Sequence, residues 1–275
     1  MSPSASAIPT LPASDAVLLT ERVGPIAVLT LNRPQARNAL SEAMLTALGA
    51  ALAGIAEDRS VRAVVLAASG PAFSAGHDMK ELTARRNDPD RGRAYFKEIM
   101  TACSAVMQMI VRLPQPVIAA VEGVATAAGC QLVASCDLAV ASQAARFSTP
   151  GVHIGLFCST PMVALSRNVS RKAAMEMLLT GDMIAADEAR RIGLVNRVVA
   201  AGHARDEALV LAQKIASKSA AVLKLGKEAF YRQADMDLAE AYAYTAEVMV
   251  ENMLARDAEE GIGAFIDKRP PQWDN

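Results

Sequence analysis

Two stretches of this sequence share one plan, and that plan restricts the fold more than anything else in the chain. Val61 to Ala67, apolar at every position but Arg62, is a run that empties into the small-residue segment Ser69 to Gly76. Pro116 to Val121 is a second such run, followed by the Gly/Ala-rich segment Gly123 to Gly129. A strand apolar at every position, rather than at alternate ones, is covered on both faces, as in the parallel sheet of an α/β fold. Small residues beyond such a strand let another group approach the backbone closely. A helix that starts there offers unbonded N–H groups and a dipole favouring negative charge. Two such turns facing each other would supply two N–H donors to one developing oxyanion. Spacing alone does not show that they face each other.

The rest of the chain fits an α/β body followed by helices. Ala16 to Thr20 and Ile26 to Leu31, separated by Arg22-Val23-Gly24-Pro25, read as a β-hairpin. Ser41 reads as the cap of a helix with its apolar stripe at Leu45, Leu48, Leu52 and Ile55. A charged segment carrying Arg85, Arg86, Asp88, Asp90, Arg91 and Arg93 is expected to be a mobile surface stretch leading into a helix over roughly Asp90 to Arg112. Asp137 to Ala141 reads as a further strand. After about Ser166 strands are expected largely to stop, leaving helices at Ala173 to Leu179, Ala185 to Ile192, Ala204 to Ser217, Ala220 to Gln233 and Leu238 to Ala255. The expected organisation is a disordered lead-in over residues 1–14, a core over 15–200 and a helical C-terminal region over 201–275.

Composition narrows the function classes. The 275 residues are 52% hydrophobic but only 4% aromatic, so the core must be aliphatic. With 28 basic and 29 acidic residues the net charge is −1, which argues against a general nucleic-acid or membrane binder. No apolar run reaches membrane-spanning length. Cys103, Cys130, Cys136 and Cys158 form no Cys-x-x-Cys pair and are read as reduced, half-buried thiols with no metal or disulfide role. Met1 to Ser14 has neither the basic residue nor the apolar run of a targeting peptide, so a cytoplasmic location is expected. Neither small-residue loop gives the Gly-x-Gly-x-x-Gly run of a nicotinamide-dependent dehydrogenase.

The two loops, Ala72 to Leu82 and Gly123 to Leu132, resemble those of the enoyl-CoA hydratase/isomerase (crotonase) superfamily. The resemblance extends to Leu31-Asn32-Arg33-Pro34 with Arg37-Asn38-Ala39-Leu40, to Leu179-Thr180-Gly181 through Gly193-Leu194-Val195, and to Glu260-Gly261 through Lys268-Arg269. It covers roughly Ala16 to Trp273. It implies a spiral of stacked ββα turns with a helical C-terminal trimerisation region, assembled as a homotrimer or as a hexamer of paired trimers. It also implies an acyl-CoA ligand, with coenzyme A as part of the substrate and no tightly bound cofactor or metal. By position, the resemblance makes His77 and Ala128 the two oxyanion N–H donors. It places the adenine and pantetheine near the backbone of Ala36, Ala75, Asp78 and Met79, and Arg37, Phe265 and Lys268 at the nucleotide end. A cation near a phosphate fits the electrostatics.

The pattern breaks at two positions. Hydratases of this family use two glutamates around one water; Gln131 stands in place of the first and Gly151 in place of the second. A neutral amide can orient a water or an acyl group but is no general base near neutral pH. Losing such groups costs each proton transfer roughly two to four orders of magnitude. The backbone oxyanion donors would survive, so thioester binding with weak or altered proton transfer is expected. His153 and Cys158 are the candidate replacements, but a packed or partly exposed structural histidine and a buried thiol are the stronger readings. The run Gly123 to Gln131, with Pro150 to Cys158, resembles one branch, the enoyl-CoA hydratase domain-containing protein 3 group, which shares the Gln and Gly replacements. Two further readings stay open at this point: a non-catalytic acyl-CoA-binding regulatory protein, and a decarboxylase of malonyl-type thioesters.

Overall fold

The computed structural model describes residues 16–274; the lead-in expected over residues 1–14 lies outside them. The strands are β1 (Leu18–Val23), β2 (Ile26–Leu31), β3 (Ala63–Ala68), β4 (Ala72–Ser74), β5 (Val117–Val121), β6 (Val124–Thr126), β7 (Leu138–Ser142), β8 (Arg146–Ser148), β9 (Ile184–Ala185) and β10 (Arg197–Val199). The helices are α1 (Glu42–Glu57), α2 (Met79–Ala84), α3 (Arg93–Arg112), α4 (Ala128–Ser135), α5 (Pro161–Asn168), α6 (Arg171–Thr180), α7 (Ala186–Arg191), α8 (Ala204–Ala216), α9 (Ala220–Gln233), α10 (Leu238–Leu254) and α11 (Arg256–Ile266).

Three successive segments repeat one unit. A long strand (β3, β5 or β7) is followed within a few residues by a three-residue strand (β4, β6 or β8) and then by a helix. The long strands join a six-stranded sheet in the order β1-β2-β3-β5-β7-β10, and the short ones a four-stranded sheet in the order β4-β6-β8-β9. From β2 to β10 the larger sheet is parallel, and only the β1–β2 hairpin is antiparallel. Each unit therefore makes one turn of a two-walled spiral, in keeping with the crotonase-type spiral.

Strand alternation explains the continuous apolar runs. On β3, Val64 and Leu66 enter the core shared with α1 and α3, while Ala63, Val65 and Ala67 face α8 on the other side. Side chains Ala204, Ala208, Leu211 and Ala212 of α8 close that second face, so this helix, although it follows residue 200, packs on the sheet. Ser41 caps α1 as its position suggests: its Oγ accepts from Met44 N, and Leu45, Leu48, Leu52 and Ile55 are buried. The hairpin turns through Gly24 at φ 58, a backbone region that disfavours a side chain.

Several expectations are corrected. Two short strands follow Ser166, β9 and β10, and each edges a sheet. The four cysteines are fully rather than half buried. Burial pushes the Cys103 and Cys130 thiols up to about 12. The helix expected from Asp90 begins at Arg93, because the Asp90 carboxylate accepts from Gly92 N and Ala94 N at its entrance. The charged stretch before it is anchored by Arg85 over the Tyr95 ring, 4.7 Å from its centre.

Beyond α8 the packing changes character. α9 is held to the body through Lys227, whose Nζ donates to the carbonyls of Ile110 and Gln115 and to Asp137 Oδ2 at 2.7 Å. Tyr231 OH donates to the other oxygen of the same carboxylate. Burial lowers the Lys227 pKa, and the Asp137 carboxylate opposes that shift. In contrast, α10 buries no side chain, and Leu238, Tyr242, Met249, Leu254, Phe265 and Ile266 are exposed along α10 and α11.

Candidate active site

β4, β6 and β8 are neighbours and parallel, so the segments that follow them emerge at the same edge of the small sheet. That edge, beyond the carboxyl ends of the strands, is where α/β sheets bind ligands. The three segments contain His77, Gln131 and Gly151. Their backbones are closely packed. A methyl added to Gly129 would lie 2.2 Å from the Ser74 carbonyl oxygen. One added to Gly76 would lie 2.9 Å from Ala127 Cβ and 3.2 Å from Ala128 N.

The hydrogen bonds around these loops orient two N–H groups. Leu40 N donates to the Gly76 carbonyl at 2.8 Å. The C=O and N–H of a trans peptide point in opposite directions, so the His77 N–H is aimed away from Leu40. Gln131 N donates to the Ala127 carbonyl at 3.0 Å, which aims the Ala128 N–H out of the start of α4. Between them Ala127 has φ 50 and ψ −121, a region a β-carbon makes unfavourable by about 1–3 kcal/mol. It is held there from both sides, its N–H donating to the Ser148 carbonyl at 3.0 Å.

A second network brings the Ala36–Arg37 turn to the same loops. Ala75 N donates to the Arg37 carbonyl at 3.0 Å. Buried Asn38 donates through Nδ2 to the carbonyls of Ser69 and Ala72 and accepts from Arg33 N. Ser74 Oγ donates to the Asn38 carbonyl. Arg33 reaches Asp78 at 3.2 Å, and Asp78 caps α2 by accepting from Lys80 N and Glu81 N. Ala36, Arg37, Ala75, Asp78 and Met79 thus share one neighbourhood, with Arg37 and Met79 exposed. Phe265 and Lys268 are not tied to it: they lie on and just after α11, which packs on α10, and Phe265 is 84% exposed.

The backbone at Gly151 is closed in by packing. A methyl on Gly151 would lie 2.9 Å from the Leu156 carbonyl oxygen and 3.0 Å from Cys158 Sγ. Burial raises the Cys158 pKa, so this sulfur stays a thiol. His153 is exposed, and its Nε2 is 2.8 Å from the Thr180 carbonyl oxygen.

Sequence reasoning missed the Arg33–Asp78 pair, the strain at Ala127 and a set of unpaired polar groups. Gln131 Oε1, Ser148 Oγ and Thr149 Oγ1 are buried without a hydrogen-bond partner, while the His77 ring lies against the Leu40 backbone. Burial also pushes the His77 pKa down, which keeps the ring neutral. The Arg33–Asp78 pair spans too many residues to be visible as a local pattern. Ser148 and Thr149, beside Pro150, form no pattern that sets them apart in the sequence. Among the described residues there is no cluster of three or more His, Cys, Asp or Glu suited to a metal, and no helix long and apolar enough to cross a membrane.

Comparison with known proteins agrees with this geometry. Residues 21–275 match the enoyl-CoA hydratase/isomerase family. The chain is 50% identical over 245 residues to mitochondrial enoyl-CoA hydratase domain-containing protein 3 of Rattus norvegicus, covering 89% of this chain and 80% of that protein. It superposes on the crystal structure of an enoyl-CoA hydratase of Mycobacterium smegmatis with a TM-score of 0.89 and 56% identity, over 94% of this chain and 98% of that one. The human enoyl-CoA hydratase domain-containing protein 3 structure gives a TM-score of 0.89 at 48% identity, over 94% and 100%. On fold, sequence and loop architecture together, this chain belongs to the enoyl-CoA hydratase/isomerase, or crotonase, family.

Proposed function

We propose that this protein binds an acyl thioester of coenzyme A and stabilises its enolate between the N–H groups of His77 and Ala128. The observation that carries this reading is the pair of oriented donors. Each is aimed by a hydrogen bond on the carbonyl that precedes it, and the two loops touch at Gly76 and Ala127. Fixed donors at a buried site need no reorganisation when charge develops on the thioester oxygen. Ala36, Arg37, Ala75, Asp78 and Met79 would line the coenzyme path. Phe265 and Lys268, on the outlying helix, would reach a coenzyme only across a subunit contact. The exposed apolar faces of α10 and α11 suit such a homotrimer, or a hexamer built from two.

Hydration is the weak part of the family chemistry here. Gln131 is neutral and Gly151 has no side chain, so neither position offers a general base. Among the family reactions, those that need only enolate stabilisation suit the site best. The test is to incubate the purified protein with enoyl, malonyl and saturated acyl thioesters and follow products by mass. Crotonyl-CoA hydration should fall roughly two to four orders of magnitude below a two-glutamate hydratase. Rapid hydration that disappears in Gln131→Ala would overturn the carboxylate argument. Binding of many thioesters with turnover of none would replace the enzyme by an acyl-CoA-binding regulatory protein. The proposed location is cytoplasmic; the rat relative is named as mitochondrial, and cell fractionation decides between the two.

A further inference from the structure

The three helices after α8 form an arm with little apolar burial of its own. Ala229 is the only buried residue of α9, α10 has none, and α11 buries Asp257 and Ala264. The hydrogen bonds that fix the arm gather at two places. One is its base, residues 217–219. There Arg62 Nη2 donates to the Lys218 carbonyl at 2.6 Å, Trp273 Nε1 to the Ser217 carbonyl at 2.9 Å, and Ser219 Oγ to Asp257. The other is the Asp137 carboxylate, reached by Lys227 and Tyr231, one turn apart on the same face of α9. Lys227 lies about 12 Å along the helix axis from Ser219.

The second place is a closed polar node. All three Lys227 N–H bonds are used, on the carbonyls of Ile110 and Gln115 and on Asp137 Oδ2. Asp137 also accepts from Val117 N at 2.7 Å, and the Lys227 and Asp137 side chains are only 8% and 16% exposed. The node therefore joins α9 to the last turn of α3, the start of β5 and the link from α4 to β7. A buried ion pair gains little net stability, because desolvation offsets its attraction. What it supplies is one geometry, since its hydrogen bonds close in only one way. We propose that Lys227, Tyr231 and Asp137 are positioning residues that set where the α9–α11 arm sits on the body, and add little to overall stability. Without them the arm pivots about residues 217–219 while the body stays folded. No ligand enters this proposal, so it stands or falls apart from the thioester reading.

The test removes the two charges together. Lys227→Met alone leaves the buried Asp137 carboxylate without its cation and should lower the melting temperature. Lys227→Met combined with Asp137→Asn leaves no unpaired charge and keeps an acceptor for Val117 N, so melting should return toward the native value. Amide hydrogen exchange, read by mass spectrometry on the full chain, then separates arm from body. In the double variant α9, α10 and α11 should exchange at least ~10-fold faster than in the native chain, with α1, α3 and the large sheet unchanged. Tyr231→Phe, which removes one hydrogen bond and no charge, should give a smaller rise confined to the same helices. Native exchange across the arm in the double variant, or a rise spread equally over arm and body, would overturn the proposal. A double variant that melts as low as Lys227→Met, or fails to fold, would make the node a source of stability and not of position, and would overturn it as well.

Discussion

The segments after β6 and β8 leave the same sheet side by side, yet they are built in opposite ways. The β6 segment keeps a strained backbone: Ala127 stays at φ 50 and the Ala128 N–H is left facing outward. The β8 segment is closed in: Gly151 is packed under the Leu156 carbonyl and the Cys158 sulfur, where a methyl would lie 2.9 and 3.0 Å from them. Strain is retained only where the surrounding structure imposes it, and such strain gathers at functional positions. The difference teaches that the β6 segment holds a strained backbone open at its N–H, while the β8 segment closes tightly over a glycine.

Substitutions at the two glycines should give the largest effects, and should differ. Gly129→Ala drives a methyl to within 2.2 Å of a backbone oxygen that cannot move without displacing β4. Overpacking of this kind should cost about 3 kcal/mol or more, read as a large fall in the denaturation midpoint. Gly151→Ala meets its neighbours at 2.9 and 3.0 Å, one of them a side-chain sulfur that can shift. Its cost should be nearer 1–2 kcal/mol. Equal costs would mean that the β8 segment is as constrained as the β6 segment, and would break the comparison.

Relief of strain gives the next effect, in the opposite direction. Ala127→Gly removes the β-carbon from an unfavourable conformation, so denaturation should show a gain of up to about 1 kcal/mol after the backbone entropy of glycine is subtracted. A loss would indicate that the methyl contact with Gly76 outweighs the strain. The smallest effect lies outside both segments. Arg269 and the Gln272 N–H hold the Glu260 carboxyl at about 2, below its ordinary 4.5. A depressed carboxyl pKa stabilises the fold above the unfolded value and loses that contribution as pH falls through the folded one. The stability difference between the native chain and Glu260→Gln should be constant above about pH 5.5 and vanish near pH 2, followed by thermal melting across pH. An unchanging difference would detach this pair from the acid response.

Much of the scaffold can be read from the residues. β3, β5 and β7 are legible because strands covered on both faces are apolar throughout, and α1 because Ser41 and its stripe agree. The short strands β4, β6 and β8 carry three residues each, too few for any periodicity, so the second wall of the spiral entered only through the family resemblance. β9 and β10 escaped for the same reason. α11 was missed because Ala255 ends one helix and immediately starts the next. At the site, small-residue loops mark where backbone can be approached, but an alanine gives no hint that it holds a positive φ. Nor can spacing reveal that the hydroxyls of Ser148 and Thr149 find no partner, since that depends on how neighbouring strands stack.

The central claim is that the two backbone donors remain in place and act on the thioester. The infrared carbonyl stretch of acetyl-CoA labelled with carbon-13 at its carbonyl, recorded bound to the full chain against free in solution, measures that directly. Strong hydrogen bonds to the oxygen weaken the C=O bond, so the account predicts a band at distinctly lower frequency in the complex than in water. A bound band at or above the solution frequency would mean that His77 and Ala128 do not hold the oxygen, and would contradict the account.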